Sequence, residues 1–203
     1  MIKMKDLILY IHGKGGSADE SRHYEPLFPG REVIGLDYRT FTSWETGREI
    51  RDAVMRYRAE YGGITLIANS IGAFFCMNAD IGGMISKAYF ISPIVDMEKL
   101  ILGMMNMACV SEDELREKGR IKTSFGEELS WDYLSYVRTH HAGWDVPTKI
   151  LYGSRDDLTS YETIRKFASE HRADLTVMEG GEHWFHTAEQ MAFLDGWIME
   201  GER

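Results

Sequence analysis

The sequence is poor in cysteine, carries no excess of positive charge and lacks a long apolar run near its start. Only Cys76 and Cys109 occur in 203 residues. Both stand in apolar, helix-like segments, so the expectation is two free, buried thiols rather than a disulfide-stapled scaffold. Lysine and arginine number 23 against 32 acidic residues, a net charge of −9. Such a surface repels nucleic acid and anionic membrane and supplies no general field to hold a strongly anionic ligand. Neither is expected as a partner, and any anion site must be local. Only five apolar residues, Leu7 to Ile11, separate the charged start MIKMKD from His12. That is too few for a signal-peptide core and far too few to span a bilayer, so a cytoplasmic location is expected.

What is present is a core-forming chain. With 44% apolar residues it can bury a full core, and its length makes a single domain over 1–203 the default. Short apolar runs fall at 7–11 (LILYI), 32–38, 63–69, 87–92, 148–153 and 173–180. They are nearly continuous rather than alternating, as in parallel strands covered on both faces. Between the second and third runs, Ile50, Val54, Tyr57 and Tyr61 recur at helical spacing, with Glu49, Arg51, Arg56 and Arg58 off that stripe and Gly62-Gly63 ending it. The pattern predicts an α/β fold: a three-layer α/β/α arrangement around a mainly parallel six-stranded sheet.

One interval breaks the rhythm. From Pro93 to about Trp144 no strand is visible, and a structureless connection of that length is improbable in a compact domain. Leu100, Ile101, Met104, Met105 and Ala108 form a helical stripe, and Ser111 precedes the acidic turn of a second helix. A helical lid over 94–145, inserted between the fourth and fifth strands, is the expectation.

The first strand runs into His12-Gly13-Lys14-Gly15-Gly16. Gly13, Gly15 and Ala18 fit the dinucleotide fingerprint, with Asp37 downstream for a ribose hydroxyl. The same turn also matches loops that receive a transient oxyanion. Pro26 and Pro29 limit any following helix to a short, late one, which weakens the phosphate-binding alternative because a pyrophosphate needs a helix N-terminus.

The third strand delivers Ala68-Asn69-Ser70-Ile71-Gly72 into a helix-like pattern. Small residues two before and two after a serine are what a sharp, strained strand-to-helix elbow requires. A serine hydroxyl needs a neighbouring base, itself oriented by a third group. Asp156 follows the fifth strand in Gly153-Ser-Arg-Asp, and His183 follows the sixth after Gly180-Gly181. Asp157 and His186 are rival candidates, although each reads as a residue leading the next helix.

The stretches HGKGG, ANSIGA, GSRDD and GGEHWF, spanning essentially the whole chain, resemble the α/β-hydrolase superfamily in the chain order Ser, Asp, His. The resemblance is to small single-domain serine hydrolases whose sheet lacks the first two strands of larger members. It implies Ser70 as nucleophile, His183 as general base and acid, Asp156 as the carboxylate orienting it, and the Lys14 and Ile71 N–H groups as oxyanion hole. His12 would shape the loop. The implied activity is cleavage of a small ester, thioester or amide through an acyl-enzyme, with a small-molecule acyl substrate and no cofactor. Met104 and Met105, on the predicted lid, and Trp144 near its end are candidate substrate contacts. His140 and His141 lack a third ligand at suitable spacing, so no metal site is expected. A catalytically idle binding protein of the same fold is the alternative, with a dinucleotide-binding protein behind it.

Overall fold

The computed structural model describes residues 4–140 and 143–203. The chain divides into two compact units, one formed by 1–95 with 143–203 and one by 96–142.

The first unit is built on a six-stranded sheet. Its strands are β1 (Leu7–Ile11), β2 (Glu32–Gly35), β3 (Ile64–Asn69), β4 (Lys87–Ile91), β7 (Thr148–Gly153) and β8 (Asp174–Met178), the numbers β5 and β6 belonging to a hairpin in the second unit. The order is β2-β1-β3-β4-β7-β8. Every pairing is parallel. β1 is buried along its full length and β3 at five of its six residues, which explains their uninterrupted apolar sequence: both faces are covered. The edge strands β2 and β8 are more exposed.

The connections place helix α1 (Ser43–Arg58) before β3, α2 (Ile71–Met77) directly after it, α6 (Tyr161–Glu170) between β7 and β8, and α7 (Ala188–Gly201) at the end. Thr42 caps α1: its hydroxyl accepts from the Glu45 N–H and donates to the Glu45 carboxylate at 2.7 Å. Ile50 and Val54, on the predicted stripe, are fully buried. One core cluster joins Tyr10, Ile67, Tyr89 and Leu151 of the sheet to Leu194 and Trp197 of α7. At a rate of about 1.5–3 kcal/mol per large apolar side chain withdrawn from water, such burial is the main force holding helix to sheet.

The order β2-β1-β3 contains the decisive topological event. After β1 the chain turns one way to form β2, then crosses back to add β3 on the opposite side of β1. The C-terminal ends of β1 and β3 therefore send their loops in opposite directions, leaving a crevice between them where sheets of this kind bind ligands.

The second unit departs from the purely helical expectation. It contains α3 (Met97–Met107), α4 (Glu112–Lys118) and α5 (Trp131–Thr139), but also an antiparallel hairpin of β5 (Arg120–Lys122) and β6 (Glu128–Ser130). Strands of three residues are too short to show an alternation in sequence. Gly119, at φ +73°, ends α4 just before β5, and Gly126, at φ +88°, stands in the turn that joins the two strands; both need the positive φ that glycine adopts freely. Ser111 caps α4 as expected, accepting from the Glu114 N–H. Arg138 of α5 ties the unit together, donating to Glu98 of α3 and, through both terminal nitrogens, to Glu112 of α4.

Cys76 is buried and free; desolvation drives its thiol far above the ordinary range. Cys109 is also free but exposed, contrary to the expectation of two buried thiols. It lies just beyond α3 at φ +53°, where the helix has ended and the chain turns outward. No described helix is long and apolar enough to cross a membrane.

Candidate active site

Ser70 stands between the last residue of β3 and the first of α2, at φ 52° and ψ −121°. A non-glycine residue in this region is strained by a few kcal/mol and persists only where its surroundings enforce it. Here both sides of the elbow are held. The Ser70 N–H donates to Ile91 O at 2.9 Å, and its carbonyl accepts from Ile94 at 3.1 Å and Ala73 at 3.2 Å. Gly72 allows the turn to be this tight: a Cβ there would stand 2.6 Å from His12 O and 2.7 Å from Ile11 O. Helix and β1 thus meet backbone to backbone.

The Ser70 Oγ is 2.8 Å from His183 Nε2. His183 Nδ1 is 2.7 Å from Asp156 Oδ2. A carboxylate can only accept, so Nδ1 carries the proton and Nε2 is left with the lone pair that accepts from Ser70. Asp156 is fully buried at its side chain while His183 is 14% exposed. The other carboxylate oxygen, Oδ1, accepts from the Leu158 and Thr159 N–H groups, both at 2.9 Å. That oxygen is satisfied by backbone, which fixes the carboxylate plane and aims Oδ2 at the histidine. The β7 and β8 loops come together because glycine faces glycine: a Cβ on Gly153 would lie 2.4 Å from Gly181 O.

The rival residues fall elsewhere. Asp157 is exposed beside the buried Asp156 side chain. His186 bonds the Trp184 carbonyl at 2.7 Å and lies 3.6 Å from Glu182.

On the other wall stands the glycine loop after β1. A Cβ on Gly13 would press against Ser70 Cβ at 3.1 Å and Asn69 O at 3.3 Å, so glycine is what lets the loop reach the serine. Gly15 is at φ +77°. His12 is buried and turned away: its Nδ1 donates to Gly13 O at 2.8 Å, and its ring stacks on Tyr38 at 4.1 Å and 7°. Tyr38 in turn donates to His12 O at 2.8 Å. These contacts hold the loop in place.

A cleft of about 280 Å³ opens beside Ser70, walled by the loop from Gly13 to Gly16, by Glu20 and Asn69, and by His183 and Trp184. The sequence reading missed Glu20, Asn69 and Trp184 as cleft residues. The 68% exposure of Trp184 is invisible in sequence, where a tryptophan reads as core.

Trp144 was expected to contact substrate, and the structure corrects this. It is only 4% exposed, packs on Phe90 at a centroid distance of 5.2 Å and donates from Nε1 to Thr148 at 2.8 Å. It anchors the chain as it re-enters the sheet at β7. Met105 is buried and Met104 half-buried in α3 of the second unit. The dinucleotide alternative also loses its main requirement. The glycine turn leads into a 3₁₀ segment, Ala18–Leu27 with Pro26 inside it, rather than an α-helix, and Asp37 is exposed beside Arg39. His140 stacks on Tyr136 at 4.0 Å; His141 lies outside the described residues.

Comparisons with known proteins agree with this architecture. No protein-family model matches the chain, and no curated relative is found by sequence. Solved structures do match. Est1E from Butyrivibrio proteoclasticus superposes with a TM-score of 0.75 at 18% identity, over 98% of this chain and 87% of that one. Alpha/beta hydrolase domain-containing protein 10 from mouse gives 0.70 at 16%, over 97% and 89%. Est2, a thermophilic esterase from Thermogutta terrifontis, gives 0.65 at 20%, over 98% and 81%. The chain has the α/β-hydrolase fold.

Proposed function

We propose that the protein is a serine hydrolase that cleaves a small ester, thioester or amide through an acyl-enzyme. The observation that carries this reading is the continuous hydrogen-bond chain from Ser70 through His183 to Asp156, with the serine on a strained elbow. A structural serine gains nothing from such strain, whereas a nucleophile held clear of the backbone does. The description of one structural neighbour as an esterase supports the same class of reaction.

In this reading the Ser70 Oγ attacks the substrate carbonyl carbon while its proton passes to His183 Nε2. Negative charge developing on the carbonyl oxygen is received by the N–H groups of Ile71, the first residue of α2, and Lys14 of the glycine loop. His183 then returns the proton to the leaving group as the carbon–heteroatom bond breaks. A water, deprotonated by the same nitrogen, attacks the acyl-serine, and the acid leaves with Ser70 restored. Asp156 stabilises the imidazolium formed in each half-reaction and keeps its tautomer.

Labelling with a fluorophosphonate probe and hydrolysis of p-nitrophenyl acetate test the assignment. Parent protein should react at Ser70, and Ser70→Ala should neither label nor turn over. Equal labelling of parent and Ser70→Ala would reject it.

A further inference from the structure

Glu20 is an exposed acidic residue on the wall of a cleft whose chemistry, as read above, has no use for a carboxylate. Its position is nevertheless constrained. The hydroxyl of Tyr10, a residue 1% exposed, donates to Glu20 Oε2 at 2.5 Å. Burial drives the Tyr10 hydroxyl well above its ordinary range, so it remains a neutral donor to the carboxylate. The carboxylate also lies over Gly16, where a Cβ would stand 2.7 Å from Oε1. A buried tyrosine and the gap left by a glycine together hold the group beside the loop proposed to receive the oxyanion.

The proposed reaction determines which part of a substrate meets this wall. The leaving group must lie within reach of His183 Nε2, which puts it on the His183 and Trp184 side of the cleft. The carbonyl oxygen points to the Lys14 and Ile71 amides. Within the lining of the cleft itself, this leaves the wall of Gly16, Glu20 and Asn69 for the acyl group. Resting on the hydrolase reading, we infer that Glu20 is an acyl-specificity residue: it accepts a hydrogen bond from a hydroxyl or ammonium group on the acyl chain and rejects acyl chains that end in a carboxylate. A site built with a hydrogen-bonding group discriminates far better than an apolar pocket, because an unmatched substrate leaves that group unpaired or repelled.

The experiment compares kcat/KM for naphthyl esters of four acyl groups of similar length, with spontaneous hydrolysis subtracted: butanoate, 3-hydroxybutanoate, 3-aminopropanoate and the half-ester of butanedioate. Parent protein should prefer a donor-bearing ester over butanoate by about tenfold, the effect of one hydrogen bond to a charged group, and should use the half-ester least. All readouts are ratios within one protein, so a general loss of activity in a variant cancels. In Glu20→Gln the half-ester should rise at least tenfold relative to butanoate, chiefly through KM. If the natural donor is an ammonium, Glu20→Gln should abolish the amino preference. If it is a hydroxyl, the amide oxygen should preserve that preference, and only Glu20→Ala should remove it. Parent ratios near one, or half-ester ratios unchanged in both variants while butanoate is still hydrolysed, would overturn the role of Glu20 and leave the hydrolase reading intact. Failure of the parent to hydrolyse any ester, together with absent fluorophosphonate labelling, would overturn both.

Discussion

Ser70 and His183 stand 113 positions apart in the chain, yet their side chains meet at 2.8 Å, one at the end of β3 and the other beyond β8. If this contact is the catalytic couple, its removal from either end should have the same consequence. Ser70→Ala and His183→Ala should each lower kcat by about 10⁴-fold or more, and the double variant should be little worse than either, because groups that act as a unit are not additive. Steady-state kinetics on an aryl acetate will read this.

Neighbouring residues supply internal controls. Asp156→Asn should cost about 10⁴-fold in kcat, since an amide favours the wrong imidazole tautomer. Asp157→Asn, altering an exposed group, should stay within a fewfold of the parent, and so should His186→Ala. Parental turnover by Asp156→Asn would transfer the orienting role elsewhere.

The elbow should be sensitive to a single methyl group. In Gly72→Ala the new carbon would meet two backbone oxygens of β1 and the following residue, at 2.7 and 2.6 Å, and neither can rotate away. A loss of roughly 1–3 kcal/mol is expected, read as a Tm lowered by roughly 2–12 °C for a chain of this size. Gly103→Ala, in α3 with nothing within 4 Å, should be neutral or stabilise by up to about 1 kcal/mol.

The two thiols should separate by reactivity. Native protein should give one fast equivalent with a disulfide reagent, from exposed Cys109, and a second only on unfolding, from buried Cys76. Desolvation keeps the Cys76 thiol protonated and so without its nucleophilic form. The assignment would be tested by repeating the assay on Cys109→Ser, which should show no fast phase.

Low pH should loosen the smaller unit. Hydrogen bonds from Arg138 hold the Glu112 carboxyl below its ordinary value of 4.5. A group whose folded value is depressed stabilises the fold above its unfolded value, and that contribution disappears as pH falls through the folded one. Amide exchange in α5, corrected for intrinsic rates, should therefore accelerate below about pH 4.5. Arg138→Met should remove this pH dependence.

Much of the fold was legible because parallel strands buried on both faces leave short, nearly continuous apolar runs bounded by turn residues; β1, β3 and β7 coincide with theirs almost residue for residue. The hairpin of 120–130 was not legible, because RIK and ELS are too short to carry a period. Trp144 misled for a different reason: an aromatic residue near a predicted lid has the same letters whether it faces a cleft or, as here, packs on Phe90.

For the candidate site, sequence by itself determined the order of the chemistry-bearing residues and the small neighbours that a tight elbow needs, since both are local properties of the chain. Sequence also favoured Asp156 over Asp157 and His183 over His186, but the contact between the two favoured side chains belonged to tertiary structure. Adjacent residues project in different directions, and only the meeting of the β7 and β8 loops, glycine against glycine, decides which side chains face each other. The placing of the opening glycine turn was decided in the same way. HGKGG can curl around a phosphate or an oxyanion; its packing against Ser70, made possible by the reversal of strand order between β1 and β3, is a fact of the folded chain.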